Sequence, residues 1–460
     1  MYKYKFYNIK YINKNKKKIL NKIIIIKGWV KFFRNNYFLE INDGSTINNL
    51  QVIINNKKFL KKKIRIGIPL KIIGKLIKNK NDIEVYAYKI KMYGNIDKEF
   101  INKSILQNKF HSRSKLRQQL NLRFRTNLFN CIIKIRHFLF INIHNYLNLK
   151  EFIYINTPII NKNNAEGAGE VFKITTLNLL DKKSKFNCKK DLFKCKANLT
   201  VSGQLELESA MYGLGKVYTF GPVFRADNSN TKKHLSEFWM LEPEIMFYKL
   251  KDIIKLSVNL IKYLIKGTLK NCKEELNYLD EYNKRYNNCK NLINRLKNII
   301  KKKYIKISYN KTIKLLNNIK RNIINWGDDI GSEHEKILFN IVFPYEIPII
   351  IYNYPKKIKP FYMKLNKDKK TTKSIDILFP YIGEIIGGSE RETSYNKLLD
   401  RIKKLKINIK NIMWYINLRK LGEIPHSGFG LGFDRLVQYI TGMNNIRDII
   451  PYPIYPGHIF

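Results

Sequence analysis

The chain has 460 residues, enough for roughly two or three domains, and 44% of them are hydrophobic, which excludes a disordered chain because a large core can be buried. Its 87 Lys and Arg against 36 Asp and Glu give a formal net charge of +51. That surplus has two explanations: attraction to a polyanion such as nucleic acid, or a Lys-, Asn-, Ile- and Tyr-rich composition that arose without selection for binding.

Residues 20 to about 95 have the pattern of a small β-barrel. Runs rich in β-branched and aromatic residues alternate with turn residues, such as the Asn-Asp-Gly-Ser of residues 42–45. We expect five strands, at 23–33, 37–42, 49–54, 67–77 and 83–93. Strands of this length and number predict an OB-fold, within an N-terminal domain of residues 1–96.

Residues 97–124 are predicted to be a polar linker, and residues 125–460 a second domain. This domain is predicted to begin with a helix at 125–147, because apolar residues recur there at spacings of three and four: Leu128, Ile132, Ile135, Leu139 and Ile143. The rest predicts an α+β domain built on an antiparallel sheet flanked by helices. We interpret two Lys- and Asn-rich segments, near 180–196 and 268–325, as surface insertions.

Periodicity and turn residues place the other elements of this second domain only coarsely. Helices are expected near 251–271, 289–303, 394–406 and 430–441. Strands are expected near 152–160, 217–225, 236–248, 346–351, 360–366 and 372–386.

The cysteines and the hydropathy pattern bear on the compartment. Five scattered cysteines without a CxxC pair argue against a disulfide framework and a cysteine zinc site: Cys131, Cys188, Cys195, Cys272 and Cys289. No apolar run approaches the ~18 residues of a membrane span, and the N-terminus lacks the order of a secretory signal. We therefore expect a cytoplasmic protein.

Four segments carry the functional signal: "INTPIINKNNAEGAGEVF" (155–172), the run from "LTVSGQL" to "FWMLEPEI" (199–245), "SIDILFPYIGEIIGGSERE" (374–392) and "PHSGFGLGFDRL" (425–436). Their order and spacing resemble the signature motifs of the class II aminoacyl-tRNA synthetases. Thr157-Pro158 closes a motif 1, residues 225–244 form a motif 2 and residues 428–435 form a motif 3. "EGAGEVF", "TVSGQL" and "HLSEFWMLEPE" resemble the asparaginyl branch of that family, from about residue 20 to the end of the chain.

This resemblance implies a two-step reaction in which asparagine is activated by ATP and then transferred to tRNA(Asn). Arg225 would contact the α-phosphate, and His234 and Arg435 the γ-phosphate. Phe238 and Arg435 would sandwich the adenine, and Asp227 would accept a hydrogen bond from it. Arg225, Glu384 and Arg435 are thus the expected catalytic residues.

The resemblance also implies Mg²⁺, which prefers carboxylate and phosphate oxygens, with Glu384 as its ligand and Asp376 assisting. Gly430 and Gly432 would let a helix begin close beside the nucleotide. Motif 1 implies a homodimer.

For the amino acid, the resemblance assigns the ammonium group to Glu166 with help from Gln204. The side chain would be read by Arg391 and Glu242. Aspartyl enzymes carry Asp at the position of Glu242. An asparagine amide could donate to Glu242 while accepting from Arg391, whereas a charged aspartate would be repelled.

At the tRNA end, Phe38 and Gln51 correspond to OB-fold residues that stack on the central anticodon base and hydrogen-bond to it. Alternation along residues 37–42 places Phe38 on the polar face of its strand with Glu40 and Asn42, which favours binding over a core role.

Three other functions fit parts of this pattern: a relaxed aspartyl enzyme that charges both tRNAs, an ATP-dependent asparagine synthetase on the same catalytic fold, and an inactive nucleic-acid-binding relative. Glu242 argues against the first, the N-terminal strands argue against the second, and the presence of Arg225, Glu384 and Arg435 argues against the third. The chain departs from the family at Asp227, where Glu is usual, and at Ile454, where the tail usually carries Arg.

Overall fold

The computed structural model describes residues 4–35, 37–54, 64–79, 82–107, 109–162, 170–178, 187–287, 291–344 and 346–460. The chain divides into two compact units, Met1–Lys134 and Ile135–Phe460. The domain limits proposed from the sequence, at 96 and 124, remain predictions.

The strands of the described residues are β1 (Lys5–Phe6), β2 (Ile23–Arg34), β3 (Phe38–Asn42), β4 (Leu50–Ile53), β5 (Pro69–Asn79), β6 (Asp82–Met92), β7 (Ile153–Tyr154), β8 (Ile160–Asn161), β9 (Lys173–Ile174), β10 (Ala197–Leu199), β11 (Lys216–Phe224), β12 (Glu237–Met246), β13 (Ile305–Ser308), β14 (Ile349–Tyr352), β15 (Ser374–Phe379), β16 (Gly383–Glu390) and β17 (His426–Gly432). The α-helices of these residues are α1 (Ile9–Lys14), α2 (Lys16–Ile19), α3 (Lys98–Lys103), α4 (Arg113–Gln118), α5 (Leu120–Arg123), α6 (Asn127–Asn148), α7 (Gln204–Leu214), α8 (Leu250–Asn271), α9 (Lys273–Tyr286), α10 (Leu292–Lys301), α11 (Tyr309–Ile319), α12 (Ser332–Ile337), α13 (Tyr395–Lys404), α14 (Ile409–Asn417) and α15 (Phe433–Thr441).

The first unit contains a closed five-stranded barrel, which confirms the predicted OB-fold. Its strands run in the order β2-β3-β4-β6-β5, and β2 also pairs with β5 to close the ring. Strict alternation creates the core: along β5, Leu70, Ile72 and Leu76 are buried, while the lysines between them point outward. A Cβ atom at Gly74 would lie 2.3 Å from the carbonyl oxygen of Tyr86, so only glycine allows the close approach of β5 and β6 there.

The second unit is built on an eight-stranded sheet in the order β13-β14-β15-β16-β17-β12-β11-β7. Strand pairs between β14 and β11 are antiparallel, and only the two outer pairs, β13 with β14 and β7 with β11, are parallel. Helix α8 packs on β15, β16 and β17, and α7 packs on β11 and β12. This arrangement confirms the predicted α+β class.

Three of the strands expected from the sequence are wrong in detail. Residues 152–160 form no continuous strand, since β7 covers Ile153–Tyr154 and β8 begins at Ile160. Residues 360–366 form no strand, because Phe361, Tyr362 and Met363 are buried in a cluster with helices α13 and α14. Residues 372–386 form a hairpin of two strands, β15 and β16, rather than one strand. The turn between them ends at Gly383, whose φ of +86° is readily adopted only by glycine.

The segment 268–325 is built into the sheet. It supplies the outer strand β13 and helices whose apolar faces are buried, for example Leu292, Leu296 and Ile299 of α10. Most of its Lys residues lie on exposed helix faces, so this Lys-rich composition does not prevent a core. Among the described residues, no helix is long and apolar enough to cross a membrane.

Candidate active site

A bare patch at the centre of the eight-stranded sheet forms the floor of the candidate site. Along β17, Phe429 and Leu431 are buried on one face, while the alternate positions are glycines. Gly430 lies opposite Gly387 of β16, so two neighbouring strands expose backbone alone at this point. Gly428 makes room for an acid, because a Cβ atom there would lie 2.1 Å from Glu244 Oε1. A ligand can therefore lie directly on the sheet.

All eight residues that the sequence assigns to ATP line one cavity of about 370 Å³ beside this floor: Arg225, Asp227, His234, Phe238, Glu384, Gly430, Gly432 and Arg435. They come from the connection between β11 and β12, from β12, β16 and β17, and from α15. The fold thus brings together residues more than 200 positions apart in the chain. Their contacts with ATP remain predictions.

The pairing of β11 with β12 positions the motif 2 side chains. Arg225 follows directly after β11, and its backbone N–H donates to the Ser236 carbonyl at 2.9 Å. Its guanidinium lies 5.5 Å from the centre of the Phe238 ring. Asp227 is tied to a neighbouring segment, since Ala226 N–H donates to the Glu170 carbonyl at 3.0 Å. A cation and an aromatic ring therefore share one wall of the cavity.

The cavity is rich in positive charge. Burial lowers the pKa of His234, and the nearby charges of Arg435, Lys233 and Arg225 lower it further. The His234 Nδ1 atom lies 2.7 Å from Thr231 Oγ1, which fixes the ring. Arg435 is fixed too, because its Nη1 donates to the Glu384 carbonyl at 2.8 Å. A polyanion would find three cationic side chains here, Arg225, Lys233 and Arg435.

Two carboxylates converge at the edge of this cationic cavity. A Cβ atom at Gly387 would lie 2.9 Å from Glu384 Oε1 and 3.5 Å from Asp376 Oδ1. Asp376 accepts from Lys359 Nζ at 2.6 Å. Burial raises the pKa of Asp376 to about 6, the Lys359 charge opposes that rise and the Glu384 charge adds to it. Within the described residues, no group of three His, Cys, Asp or Glu side chains could hold a metal ion.

Of the four residues assigned to the amino acid, Glu242 and Gln204 lie at the N-terminal turn of α7. A third, Arg391, is connected to Gln204 through Glu208. Both oxygens of the buried Glu242 carboxylate accept hydrogen bonds, one from Ser202 Oγ and one from Gly203 N–H, the latter at 3.0 Å. Gln204 is the first residue of α7, and its Nε2 donates to Glu208 Oε1 at 2.9 Å. Glu166 lies outside the described residues.

Arg391 is the third of these residues, and its guanidinium is held by buried partners. Its Nε donates to Glu244 Oε2 at 3.2 Å, its Nη2 bonds the other oxygen of the same carboxylate, and its Nη1 donates to Ser389 Oγ at 2.7 Å. Burial raises the pKa of Glu244, although the Arg391 charge opposes that rise. Glu244 is therefore the ion-pair partner of Arg391.

Glu208, at the centre of a buried charged cluster, connects Gln204 to Arg391. Its carboxylate lies 2.6 Å from Arg419 Nη2, 2.9 Å from His426 Nε2 and 3.9 Å from Arg391 Nε. Burial alone would raise the pKa of Glu208, but Arg419, His426 and Arg391 outweigh that effect and hold it well below its usual range. This buried cluster therefore helps to hold the Gln204 and Arg391 side chains in place.

Comparison with known proteins agrees with this geometry. Residues 112–455 match the family described as class II tRNA synthetases (D, K and N). The chain is 45% identical over 452 residues to an asparagine–tRNA ligase of Azobacteroides pseudotrichonymphae, covering 95% of both chains. It is 44% identical to that of Borreliella burgdorferi, over 99% of this chain and 100% of the relative. The chain belongs to the asparaginyl branch of the class II tRNA synthetases.

Solved structures of this branch have the same fold. The asparaginyl-tRNA synthetase of Pyrococcus horikoshii complexed with asparaginyl-adenylate aligns with a TM-score of 0.84 at 30% identity, covering 96% of this chain and 97% of that one. The Entamoeba histolytica enzyme with the same adenylate aligns with a TM-score of 0.81 at 25% identity, over 99% of each chain.

The barrel of this synthetase places Phe38 and Gln51 on neighbouring strands. Leu39 and Ile41 of β3 are fully buried, and Phe38 and Glu40 lie on the half-buried outer face, as alternation predicted. Gln51 of β4 lies opposite Glu40, and its Nε2 donates to Glu84 Oε2 at 3.0 Å. Both predicted anticodon residues therefore lie on the outer surface of one sheet, where a base could reach them.

Sequence reasoning missed several residues that support the synthetase site. Lys233 lines the cationic cavity and pairs with Glu335 of α12 at 3.2 Å, while Glu384 N–H donates to the same carboxylate at 3.3 Å. No spacing rule links residues 233 and 335. Glu208 left a weak signal, because it stands four residues after Gln204 and hence on the same face of α7.

Proposed function

We propose that this protein is an ATP-dependent asparagine–tRNA ligase. In the first step the asparagine carboxylate attacks the α-phosphorus of ATP, so that asparaginyl-adenylate forms and pyrophosphate leaves. In the second step a terminal ribose hydroxyl of tRNA(Asn), with anticodon GUU, attacks the activated carbonyl and AMP leaves. The observation that carries the proposal is the cationic cavity beside a buried glutamate, Glu242, at the position where aspartyl enzymes carry aspartate.

The first step needs positioning and charge neutralisation more than a strong base, since the nucleophile is already an anion. Arg225 presents a rigid fork of donors at the end of β11, suited to the charge that develops on the α-phosphate. Arg435 and His234 stand on the other side of the cavity, where the outer phosphates would lie. The Phe238 ring offers a flat face for the adenine.

The convergent carboxylates of Glu384 and Asp376 suit Mg²⁺, which is commonly bound by one or two carboxylates together with substrate phosphates. When bound there, the ion would neutralise phosphate charge. The charge of Asp376 already has a counter-charge in the protein, because Lys359 Nζ lies 2.6 Å from Asp376 Oδ2. Glu384 is accordingly the principal ligand in our proposal, and Asp376 the secondary one.

Asparagine would be recognised where Glu242, Gln204 and Arg391 surround the start of α7. An amide N–H can donate to a carboxylate, and its carbonyl can accept from a guanidinium. An aspartate side chain would place a second negative charge beside Glu242, at a cost of several kcal/mol in a buried site. Selection would thus rest on one acceptor that asparagine satisfies and aspartate does not.

Glu242→Gln tests this assignment. Glutamine has a neutral amide that donates as well as accepts, so it cannot replace a carboxylate that only accepts. We therefore expect the KM for asparagine in pyrophosphate exchange to rise roughly ten- to hundredfold. The KM for ATP should stay within about twofold, since Glu242 does not line the ATP cavity. Unchanged asparagine kinetics in a folded variant would show that another group senses the side chain.

Phe38→Ala tests the anticodon surface. Stacking of a base on an aromatic ring contributes about 1–3 kcal/mol, so the KM for tRNA should rise roughly five- to 150-fold. Pyrophosphate exchange without tRNA should be unaffected, because it does not use the barrel. Aminoacylation of a tRNA(Asn) transcript measures the first effect. Phe33→Ala, on the neighbouring strand β2, is a control for loss of a half-buried ring that packs against the barrel core and not on this surface.

We further propose a homodimer formed through motif 1. Apolar side chains around Thr157-Pro158 are unusually exposed, with Ile153 and Ile160 each 45% accessible and Ile159 43% accessible. A second copy would cover them. A cytoplasmic location fits both tRNA charging and a set of scattered cysteines without a CxxC pair. Cys289 lies outside the described residues.

A further inference from the structure

The segment that precedes α7 holds the Glu242 carboxylate from two sides. Ser202 Oγ donates to Oε1, and Gly203 N–H donates to Oε2 at 3.0 Å. Ser202 and Glu242 are each only 5% exposed. A buried carboxylate with a donor on each oxygen has a fixed orientation.

Ser202 is itself fixed by its neighbours. The hydroxyl that donates to Glu242 also accepts from Gln204 N–H at 3.1 Å, so both of its hydrogen-bonding roles are used. Thr200 Oγ1 bonds both the N–H and the carbonyl of Ser202, at 3.3 and 2.9 Å. The Ser202 side chain therefore has one orientation available, and that orientation points its hydrogen at Glu242.

Gly203 is held against motif 1. A Cβ atom at this position would lie 2.4 Å from Thr157 Oγ1 and 2.9 Å from Thr157 Cβ. Thr157 thus packs on the peptide that donates to Glu242. The segment cannot shift away from the carboxylate without displacing Thr157, which keeps the second donor in place.

We propose that Ser202 is a positioning residue for amino acid selection, which holds Glu242 as a fixed, acceptor-only carboxylate. This role rests on the proposed function of Glu242. A carboxylate that only accepts pairs with an amide N–H and repels a carboxylate. Without the serine donor, Glu242 could rotate or take up a proton, and a protonated carboxyl can donate to aspartate. Ser202 would therefore determine how strongly aspartate is excluded, through Glu242 rather than by touching the substrate.

Ser202→Ala in the full-length protein is the direct test. The substitution removes the acceptor of Gln204 N–H together with the donor to Glu242, while the backbone bonds to Thr200 use no Ser202 side-chain atoms and should hold the segment in place. Loss of a hydrogen bond to a charged group should raise the KM for asparagine roughly tenfold, and should raise the aspartate-to-asparagine ratio of kcat/KM by about ten- to hundredfold. The KM for ATP should stay within about twofold. Pyrophosphate exchange with each amino acid measures all three quantities.

Two variants separate positioning from loss of fold. Ser202→Thr retains the hydroxyl and should restore most of the discrimination. Ser257→Ala removes another fully buried hydroxyl, which donates to the Ile254 carbonyl in α8, and should leave the ratio unchanged. A Ser202→Ala protein that is active with asparagine and keeps the wild-type ratio would overturn the role of Ser202. Wild-type protein without asparagine-dependent exchange would instead overturn the proposed function.

Discussion

Arg225→Ala is expected to lower kcat/KM for asparagine-dependent pyrophosphate exchange by about 10²- to 10³-fold, the usual effect of removing one preorganised donor from a developing charge. Arg225 lies at the end of β11 with its guanidinium 5.5 Å from the Phe238 ring, on the wall of the cationic cavity. Water would replace the missing fork only poorly, because its dipoles must reorganise as charge develops. Pyrophosphate exchange at saturating asparagine, measured across a range of ATP concentrations, gives this change in kcat/KM.

Two further variants make this result specific. Arg225→Lys keeps the charge but loses the bidentate geometry, so its activity should fall between those of wild type and Arg225→Ala. Arg321→Ala removes an exposed arginine away from the cavity and should be neutral. Activity of folded Arg225→Ala within about threefold of wild type would mean that another cation stabilises the transition state.

Arg419→Met is expected to destabilise the protein by about 3–5 kcal/mol, because it leaves the Glu208 charge buried without its principal partner. Both side chains are fully buried, 2.6 Å apart, and the Tyr415 hydroxyl donates to the same carboxylate at 2.8 Å. Of the basic groups beside Glu208, Arg391 at 3.9 Å and His426 at 2.9 Å would then remain, and neither replaces the close contact with Arg419. Chemical denaturation of the purified proteins measures the free energy of unfolding.

Lys404→Met is the matched control for Arg419→Met. Lys404 pairs with Asp400 at 2.7 Å on the exposed face of α13, and both side chains are more than half exposed. Removing that pair should change the free energy of unfolding by less than about 1 kcal/mol. Equal effects of the two substitutions would show that the Glu208 cluster contributes no more than a surface ion pair.

Local patterns predicted much of this fold. Alternation along β5 and the spacing of apolar residues in α6 are properties of neighbouring residues, and they placed the barrel strands and the long helix within a few residues. The apolar run at 360–366 failed, because a buried irregular segment and a strand share the same composition. Within 268–325 the helix expected near 289–303 corresponds to α10, whereas α9 and α11 were missed because Lys and Asn outnumber the few Leu and Ile that pack.

The residues of the candidate site also differ in how far the sequence could predict them. Resemblance to a family supplied the residues that line the ATP cavity, and the fold brings them together. The resemblance did not supply the buried partners of the amino acid residues, such as Glu208 and Arg419. Glu208, Arg391 and Arg419 meet only because α7, β16 and the segment after α14 converge, and no local pattern encodes that meeting. The Ser202 contact with Glu242 spans 40 positions and was equally invisible in the sequence.

Aminoacylation of total tRNA by the purified protein, with asparagine and aspartate in parallel, tests the central claim most directly. We expect asparagine to be attached to tRNA(Asn), and aspartate to be attached at least about a hundredfold less efficiently, as a buried group left unpaired would require. Comparable charging with both amino acids would contradict selection by Glu242 and would indicate a relaxed aspartyl enzyme.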